Sequence, residues 1–354
     1  MNARRTFPAG LLLAALAGGA CTFELAQPVD PTLMAPPVVL ATAQPEPWAI
    51  ALDDTFVYWT NLSQTTSGGR VMRAAKDKSS DPTVLARMPY ESGTLTLDSG
   101  YVYWVTRVGG RVCRVPKDGS APVDILATNQ GIPVGIAVDD TFVYWTDSDR
   151  GHVLRKPKGD VMAPVQTIAT TQTRPWLLAL DATSVYWTNA DGGTVMRAPK
   201  DGSAPSVVVA AALGQAWGIA VDDSWVYWRD GDLNQPGRVM KALKDGTKVQ
   251  QLATTGGEGP RFMAIDDTNV YWTSGDTTDG TILTAAKDGT APATLASAQA
   301  GPRGIAVDDF DVFWTNYGGA TVMRAPKSLD PTLAAARRRP HCPHADAATC
   351  GDGP

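Results

Sequence analysis

Seven Tyr-Trp or Phe-Trp pairs recur along the 354-residue chain, each inside a short run of β-branched residues, and together they predict an all-β fold, a seven-bladed β-propeller with four antiparallel strands per blade. Three observations carry this. The motif tryptophans Trp59, Trp104, Trp145, Trp187, Trp228, Trp272 and Trp314 are spaced 45, 41, 42, 41, 44 and 42 residues apart. Each copy has the same surroundings: an apolar run ending in Asp, a tight turn, the Tyr-Trp strand, a Gly-bearing loop, another strand and a Lys-Asp-Gly-type turn. Between copies the apolar residues follow strand periods and turn punctuation, with no helical period.

In chain order, residues 1–21 read as an export signal. Arg4 and Arg5 form a positive n-region, Leu11 to Ala17 an apolar segment too short to span a bilayer, and small residues run up to Cys21. That run resembles a bacterial lipobox, which would make Cys21 a lipidation site and tether the protein to the cell envelope; ordinary cleavage after Ala20 is the alternative. Arg4-Arg5-Thr6-Phe7 also resembles a twin-arginine signal. Residues 22–35 are Pro-rich and aperiodic, as expected of a tether.

The propeller is expected over 36–329. It opens with a strand at 38–43, similar to Ile125-Leu126-Ala127-Thr128, which ends a repeat. One complete repeat occupies 133–175: strands at 134–138, 142–146, 152–156 and 165–169, joined by Asp139-Asp140-Thr141, the loop from Asp147 to Gly151, and the turn from Pro157 to Pro164. The second strand is apolar on both faces, as suits a sheet covered on each side. The seventh repeat stops after its third strand, Thr321 to Pro326, so the orphan N-terminal strand is expected to fill the gap and close the ring. A rival segment exists, because Ser328-Leu329-Asp330-Pro331-Thr332-Leu333 resembles Ser79-Ser80-Asp81-Pro82-Thr83-Val84 and would place a strand at 332–336. Residues 330–354 form a low-complexity tail in which Cys342 and Cys350 are close enough to pair; His341, Cys342, His344 and Cys350 are too few and too Pro-interrupted to predict a metal site.

The composition bounds function. With 44% hydrophobic and 19% charged residues the chain can bury a core, and a net charge of -5 gives no support to nucleic-acid binding. Four cysteines do not make a disulfide scaffold at this length; Cys113 takes a slot filled elsewhere by Met or Leu and is expected to be a buried thiol.

The repeat resembles the YWTD repeat of the low-density-lipoprotein receptor family, with Ile136-Ala137-Val138-Asp139 ahead of Tyr144-Trp145-Thr146-Asp147 and Lys200-Asp201-Gly202 in the later turn. The resemblance spans 38–327 and implies ligand or protein binding on a propeller face. It departs from that family in having seven copies in place of six blades and in lacking flanking cysteine-rich modules.

Residues present in every copy read as framework. Asp53, Asp98, Asp139, Asp181, Asp222, Asp266 and Asp308 are expected to cap turns, and the third-strand cations Arg73, Arg114, Arg155, Arg197, Lys241 and Arg324 to hold a repeated carboxylate or carbonyl. Function is expected where copies differ. The position entering the first strand reads Trp48, Gly93, Val134, Trp176, Trp217, Arg261 and Arg303, which makes Trp48, Trp176, Trp217, Arg261 and Arg303 channel-face candidates for ligand binding. Asp147 with Asp149, Asp230 with Asp232, and Asp276 with Asp279 have the spacing of weak Ca²⁺ ligands, although none completes a recognised calcium loop. No other cofactor is implied. The expectation is therefore an exported, monomeric propeller that binds a protein, peptide or glycan on its channel face without catalysis. The alternative is a propeller enzyme of lyase or Ca²⁺-dependent lactonase type at the channel mouth, with His152, Asp149 and Arg303 as residues to test; no nucleophile elbow or phosphate loop is present.

Overall fold

A computed structural model describes residues 36–62, 68–88, 92–211, 213–232, 236–258, 262–275 and 278–327, without the side chains of 92, 236 and 256–258. The signal with Cys21, the tether, the tail with its His and Cys residues, and Arg261 and Asp276 lie outside the described residues.

Strand β1 (Val38–Ala41) precedes six sets of four strands and one of three. The blades run from β2 (Pro47–Leu52) to β5 (Thr83–Met88), β6 (Ser92–Leu97) to β9 (Asp124–Ala127), β10 (Pro133–Val138) to β13 (Gln166–Ala169), β14 (Pro175–Leu180) to β17 (Val207–Ala210), β18 (Ala216–Val221) to β21 (Gln250–Glu258), and β22 (Met263–Ile265) to β25 (Ala293–Gln299). The seventh blade is β26 (Pro302–Val307), β27 (Asp311–Asn316) and β28 (Thr321–Pro326), with β1 as its outer strand. Every blade is a four-stranded antiparallel meander, so the predicted all-β, seven-bladed architecture stands, and the N-terminal strand closes the ring. Val38 pairs with Arg324, Val39 with Met323, and Ala41 with Val322. The predicted strand bounds in the third blade are met within one residue: β11 is Phe142–Asp147 and β12 is His152–Pro157.

Side chains alternate across a strand, so a sheet stacked between two others must be apolar on both faces. The second strands meet this: Val143, Tyr144 and Trp145 are buried, as are their counterparts around the ring. Each motif tryptophan sits in a cluster with its neighbour blade; Trp145, for example, packs with Tyr103, Leu126 and Ile136. Cys113 is a free, fully buried thiol in such a cluster, and burial pushes it up to about 12.

Polar links then join each blade to the next, all the way around. Each turn aspartate takes, on Oδ1, the amides two and three residues on; for Asp139 these are Thr141 and Phe142. Its Oδ2 accepts the tyrosine hydroxyl of its own second strand in six blades, at 2.7–2.9 Å. The seventh blade has Phe313 there. The same carboxylate pairs with the lysine that opens the third turn of the following blade: Lys117–Asp53, Lys158–Asp98, Lys200–Asp139, Lys244–Asp181, Lys287–Asp222, Lys327–Asp266 and, across the seam, Lys76–Asp308, at 2.6–3.1 Å. Burial alone would raise Asp139 and Asp222, but the amides, the lysine and the tyrosine outweigh it and hold both carboxyls at about 2. The third-strand cations reach the other way, as expected for a carbonyl partner: Arg73, Arg114, Arg155, Lys241 and Arg324 donate to the backbone oxygens of Lys117, Lys158, Lys200, Lys287 and Lys76.

A further repeated device went unpredicted. Gln44, Gln130, Gln172 and Gln299 each offer Oε1 to the motif indole of their interface, Trp59, Trp145, Trp187 and Trp314, at 3.0–3.1 Å. Three of them also take the amide of Asn61, Asn189 or Asn316. The residue before each glutamine (Ala43, Asn129, Thr171, Ala298) holds φ of 52–57°, and the glutamine Nε2 bonds back to the residue before that. Leu213 stands in this position in the fifth blade, and the buried Nε1 of Trp228 has no hydrogen-bond partner there.

Candidate functional site

The loops between second and third strands, together with the entries to the first strands, form one face. The aspartate–lysine ring occupies the other. On the first face, the variable position lies second in the first strand, not just ahead of it as the sequence suggested: Trp48 follows Pro47 in β2, Trp176 follows Pro175 in β14, and Arg303 follows Pro302 in β26. The strand starts earlier because the first residue pairs with the end of the second strand, and the register then shifts before the regular ladder.

The backbone of this position is fixed from the preceding blade. Hydroxyls of Thr60, Thr146, Thr188, Thr273 and Thr315 donate to the carbonyls of Gly93, Trp176, Trp217, Arg303 and Trp48, at 2.5–2.9 Å. In the second blade, Val105 replaces the threonine and Thr94 supplies the hydroxyl to Val134. In the fifth, the replacement is Arg229, fully buried, with its guanidinium on the carbonyls of Gly231 and Asp232.

The side chains converge. Trp176 and Trp217 meet edge to face at 5.1 Å; both are buried, at 7% and 2% exposure, so they form a floor and do not stand free at a rim. Half-buried Trp48 packs edge to face on Phe262 at 5.8 Å and on Tyr317 at 6.1 Å. Phe262 is the connecting piece: it touches the clusters containing Trp176 and Trp217, Ala49 and Leu95, and Ile305 and Trp314. The mouth is thus spanned by aromatic rings from the first, fourth, fifth, sixth and seventh blades.

Guanidinium groups lie on these rings. Arg107 is 5.5 Å from the Trp176 ring, Arg174 lies 5.2 Å from Trp176 and 5.7 Å from Trp217, and Arg303 is 5.7 Å from Tyr317. Arg174, at φ 57°, is also paired with Asp191 at 2.9 Å. Of the predicted site residues, Trp48, Trp176, Trp217 and Arg303 are therefore at this mouth. Arg107, Arg174, Phe262 and Tyr317 were missed. Arg107 and Tyr317 sit in loops whose length and sequence vary between copies, and Phe262 is one residue past the variable position, so periodicity gave no signal for them.

The Ca²⁺ candidates do not gather. Asp147 is buried and already accepts the amides of Gly131, Ile132 and Arg150, with the Arg150 guanidinium at 3.8 Å. Asp230 accepts Gly214 N–H and pairs with Arg238. Asp149, Asp232 and Asp279 are exposed, and among the described residues no three His, Cys, Asp or Glu side chains are placed to hold a metal ion. The residues proposed for catalysis are also apart: His152 starts β12 and Asp149 precedes it in the third blade, whereas Arg303 is in the seventh.

Comparison with known proteins supports the architecture. No protein-family model matches the chain, and no curated protein matches it. Among solved structures, virginiamycin B lyase from Staphylococcus aureus superposes with a TM-score of 0.67 at 13% identity, covering 82% of this chain and 98% of that one. A streptogramin B lyase gives 0.65 at 12%, covering 82% and 96%. A computationally designed protein, Ika8, gives 0.54 at 14%, covering 81% and 98%. At these identities the likeness establishes the fold alone. The chain is a seven-bladed β-propeller bearing YWTD-like repeats.

Proposed function

We propose that the protein is an exported binding module that holds a protein, peptide or glycan on its channel face. The observation that carries this reading is the gathering of aromatic rings from five blades at one mouth, with Arg107, Arg174 and Arg303 laid over them. Aromatic and arginine side chains, rigid and able to bind through both face and edge, are the residues that most often anchor ligands. The framework contacts lie on the opposite face and between blades, which leaves this mouth as the place where the copies differ. The Arg4-Arg5 n-region, the apolar segment and Cys21 support export and attachment to the cell envelope, with no nucleic-acid partner.

A thermal-shift screen of peptides, glycans and solubilised envelope components, with and without Ca²⁺, is expected to yield a ligand whose stabilisation disappears in Tyr317→Ala and Arg303→Ala. Both residues are only half-buried, so both variants should keep the parent melting temperature. A ligand that still stabilises both variants would place binding elsewhere. Propellers of similar shape include lyases, so bound ligands should also be followed for turnover. Turnover lost on His152→Ala or on chelation would replace the binding reading with an enzymatic one.

A further inference from the structure

We infer that segment 331–336 of the chain's own tail adds as a fifth strand to the free edge of β1, in a cleft at the seam between the seventh and first blades, and that the arginines at 337–339 then meet Glu46. The inference is independent of the channel-face reading. A four-stranded blade leaves its outer edge open, and an open edge offers unpaired N–H and C=O groups to an extended chain. β1 is such an edge: β28 holds one side of it, and among the described residues no strand pairs with the other.

Space for a strand lies beside it. A cleft of about 440 Å³ is lined on one side by every residue from 39 to 44, and on the other by Met72 and Pro82 of the first blade. Leu40, Ala41, Met72 and Pro82 make the lining largely apolar, and Lys78 and Asp81 stand at the end nearer the aspartate–lysine face. An extended chain rises about 3.3 Å per residue, so a cleft running along six residues of β1 takes a strand of five or six.

The segment that fits is the next one in the chain. β28 ends at Pro326 beside β1, with Arg324 opposite Val38, and Lys327 is fixed by its amide on the Phe310 carbonyl and its ammonium on Asp266. The four steps from 327 to 331 reach about 13 Å, more than the two strand spacings, about 9.5 Å, that separate β28 from a strand outside β1. Asp330-Pro331-Thr332-Leu333-Ala334 also carries the pattern of Asp81-Pro82-Thr83-Val84-Leu85-Ala86, which leads into the outer strand β5. With β1 in the seventh blade, every outer place of the ring is taken, so this eighth outer-strand sequence is left an edge to join. Because β28 runs toward the aspartate–lysine face, a strand turning back from it runs toward the mouth and carries 337–339 past residue 44. Glu46 stands there, half-buried, and its enclosed Oε2 has no hydrogen-bond partner among the described residues. A guanidinium is the group that satisfies such an oxygen.

Hydrogen–deuterium exchange of the full chain, resolved by peptide mass spectrometry, tests this. Residues 331–336 are expected to exchange at least about ten-fold more slowly than 345–354 of the same tail, with β1 protected alongside them. Leu333→Asp, which sets a carboxylate against the apolar lining, should release 331–336 and speed exchange over 39–43, while β9, remote from the seam, stays as in the parent. Glu46→Arg should also release 331–336. Equal exchange of 331–336 and 345–354 overturns the inference, and so does a β1 that Leu333→Asp leaves unchanged. Protection of 331–336 that survives Glu46→Arg overturns the arginine contact and the direction of the strand. Protection of 331–336 beside a freely exchanging β1 puts the tail in the place of β1 and overturns the added strand.

Discussion

Ring closure by β1 can be weighed against an internal control. Leu40 in β1 is 7% exposed and packs with Ile50, Trp59 and Met72 across the seam between the last and first blades. Leu126 in β9 is 2% exposed and packs with Ile136, Trp145 and Leu154, the corresponding residues between the second and third blades. The two leucines occupy one position of the repeat, so truncation removes the same atoms from the same kind of interface. Each Leu→Ala change is expected to cost about 3 kcal/mol, within the range for buried leucine. With a denaturant slope of about 3 kcal/mol/M, that moves the urea midpoint down by about 1 M. Equilibrium unfolding followed by tryptophan fluorescence measures both variants. If Leu40→Ala stays within about 0.5 kcal/mol of the parent while Leu126→Ala shows the full loss, β1 does not fill the outer place of the seventh blade and the rival segment at 332–336 does.

Other outcomes follow from the links between blades. Gln172→Leu strips the acceptor from the Trp187 indole and the Asn189 amide, and should cost about 1–3 kcal/mol by urea unfolding. Thr188→Val removes the hydroxyl that holds the Trp217 carbonyl and should cost about 1–2 kcal/mol; a peptide ligand of the channel face should then bind more weakly than the stability loss alone accounts for. Asp139 and Asp222 titrate near 2 in the folded protein, below an ordinary carboxylate, so their contribution is full above about pH 4 and fades as pH falls toward 2. The stability gap between the parent and Asp139→Asn should therefore narrow over that interval, and a gap that stays constant from pH 5 to pH 2.5 would refute the assignment. At the alkaline end, burial first and then Asp181 push Tyr186 up to about 12, so its contribution is complete below about pH 10 and lost as pH climbs through 12.

Much of this framework was readable in the sequence. The spacing of tryptophans gave the blade count, because a motif repeated in a chain of strands has to stack against itself. The turn aspartates were recognisable as caps because Asp before a tight turn has a local explanation. Their lysines were not assigned as partners, since Lys200 and Asp139 are adjacent only once the third and fourth blades are side by side. Gln44 and its equivalents escaped notice for a related reason: four copies out of seven weaken the period, and the bond from Gln130 to Trp145 spans a loop and a whole strand. At the candidate site, the sequence identified which positions vary but not how deeply they sit. Trp176 and Trp217 are covered because Phe262 and two arginines close over them; Arg174 is local to Trp176, but Arg107 and Phe262 come from parts of the chain far from it.

The framework bonds all have a direction. The turn lysines reach back one blade, while the third-strand cations and the second-strand threonines reach forward one, and the seam carries all three. None of these attachments counts beyond its immediate neighbour, so they would serve a ring of six or eight members equally well. Ring size must then be encoded in the taper of each wedge, through the bulk chosen for inner against outer strands. A duplicated or deleted unit would meet familiar chemistry at its borders and be opposed chiefly by geometry at the hub, where Phe262 and the surrounding rings are fitted to one particular circumference.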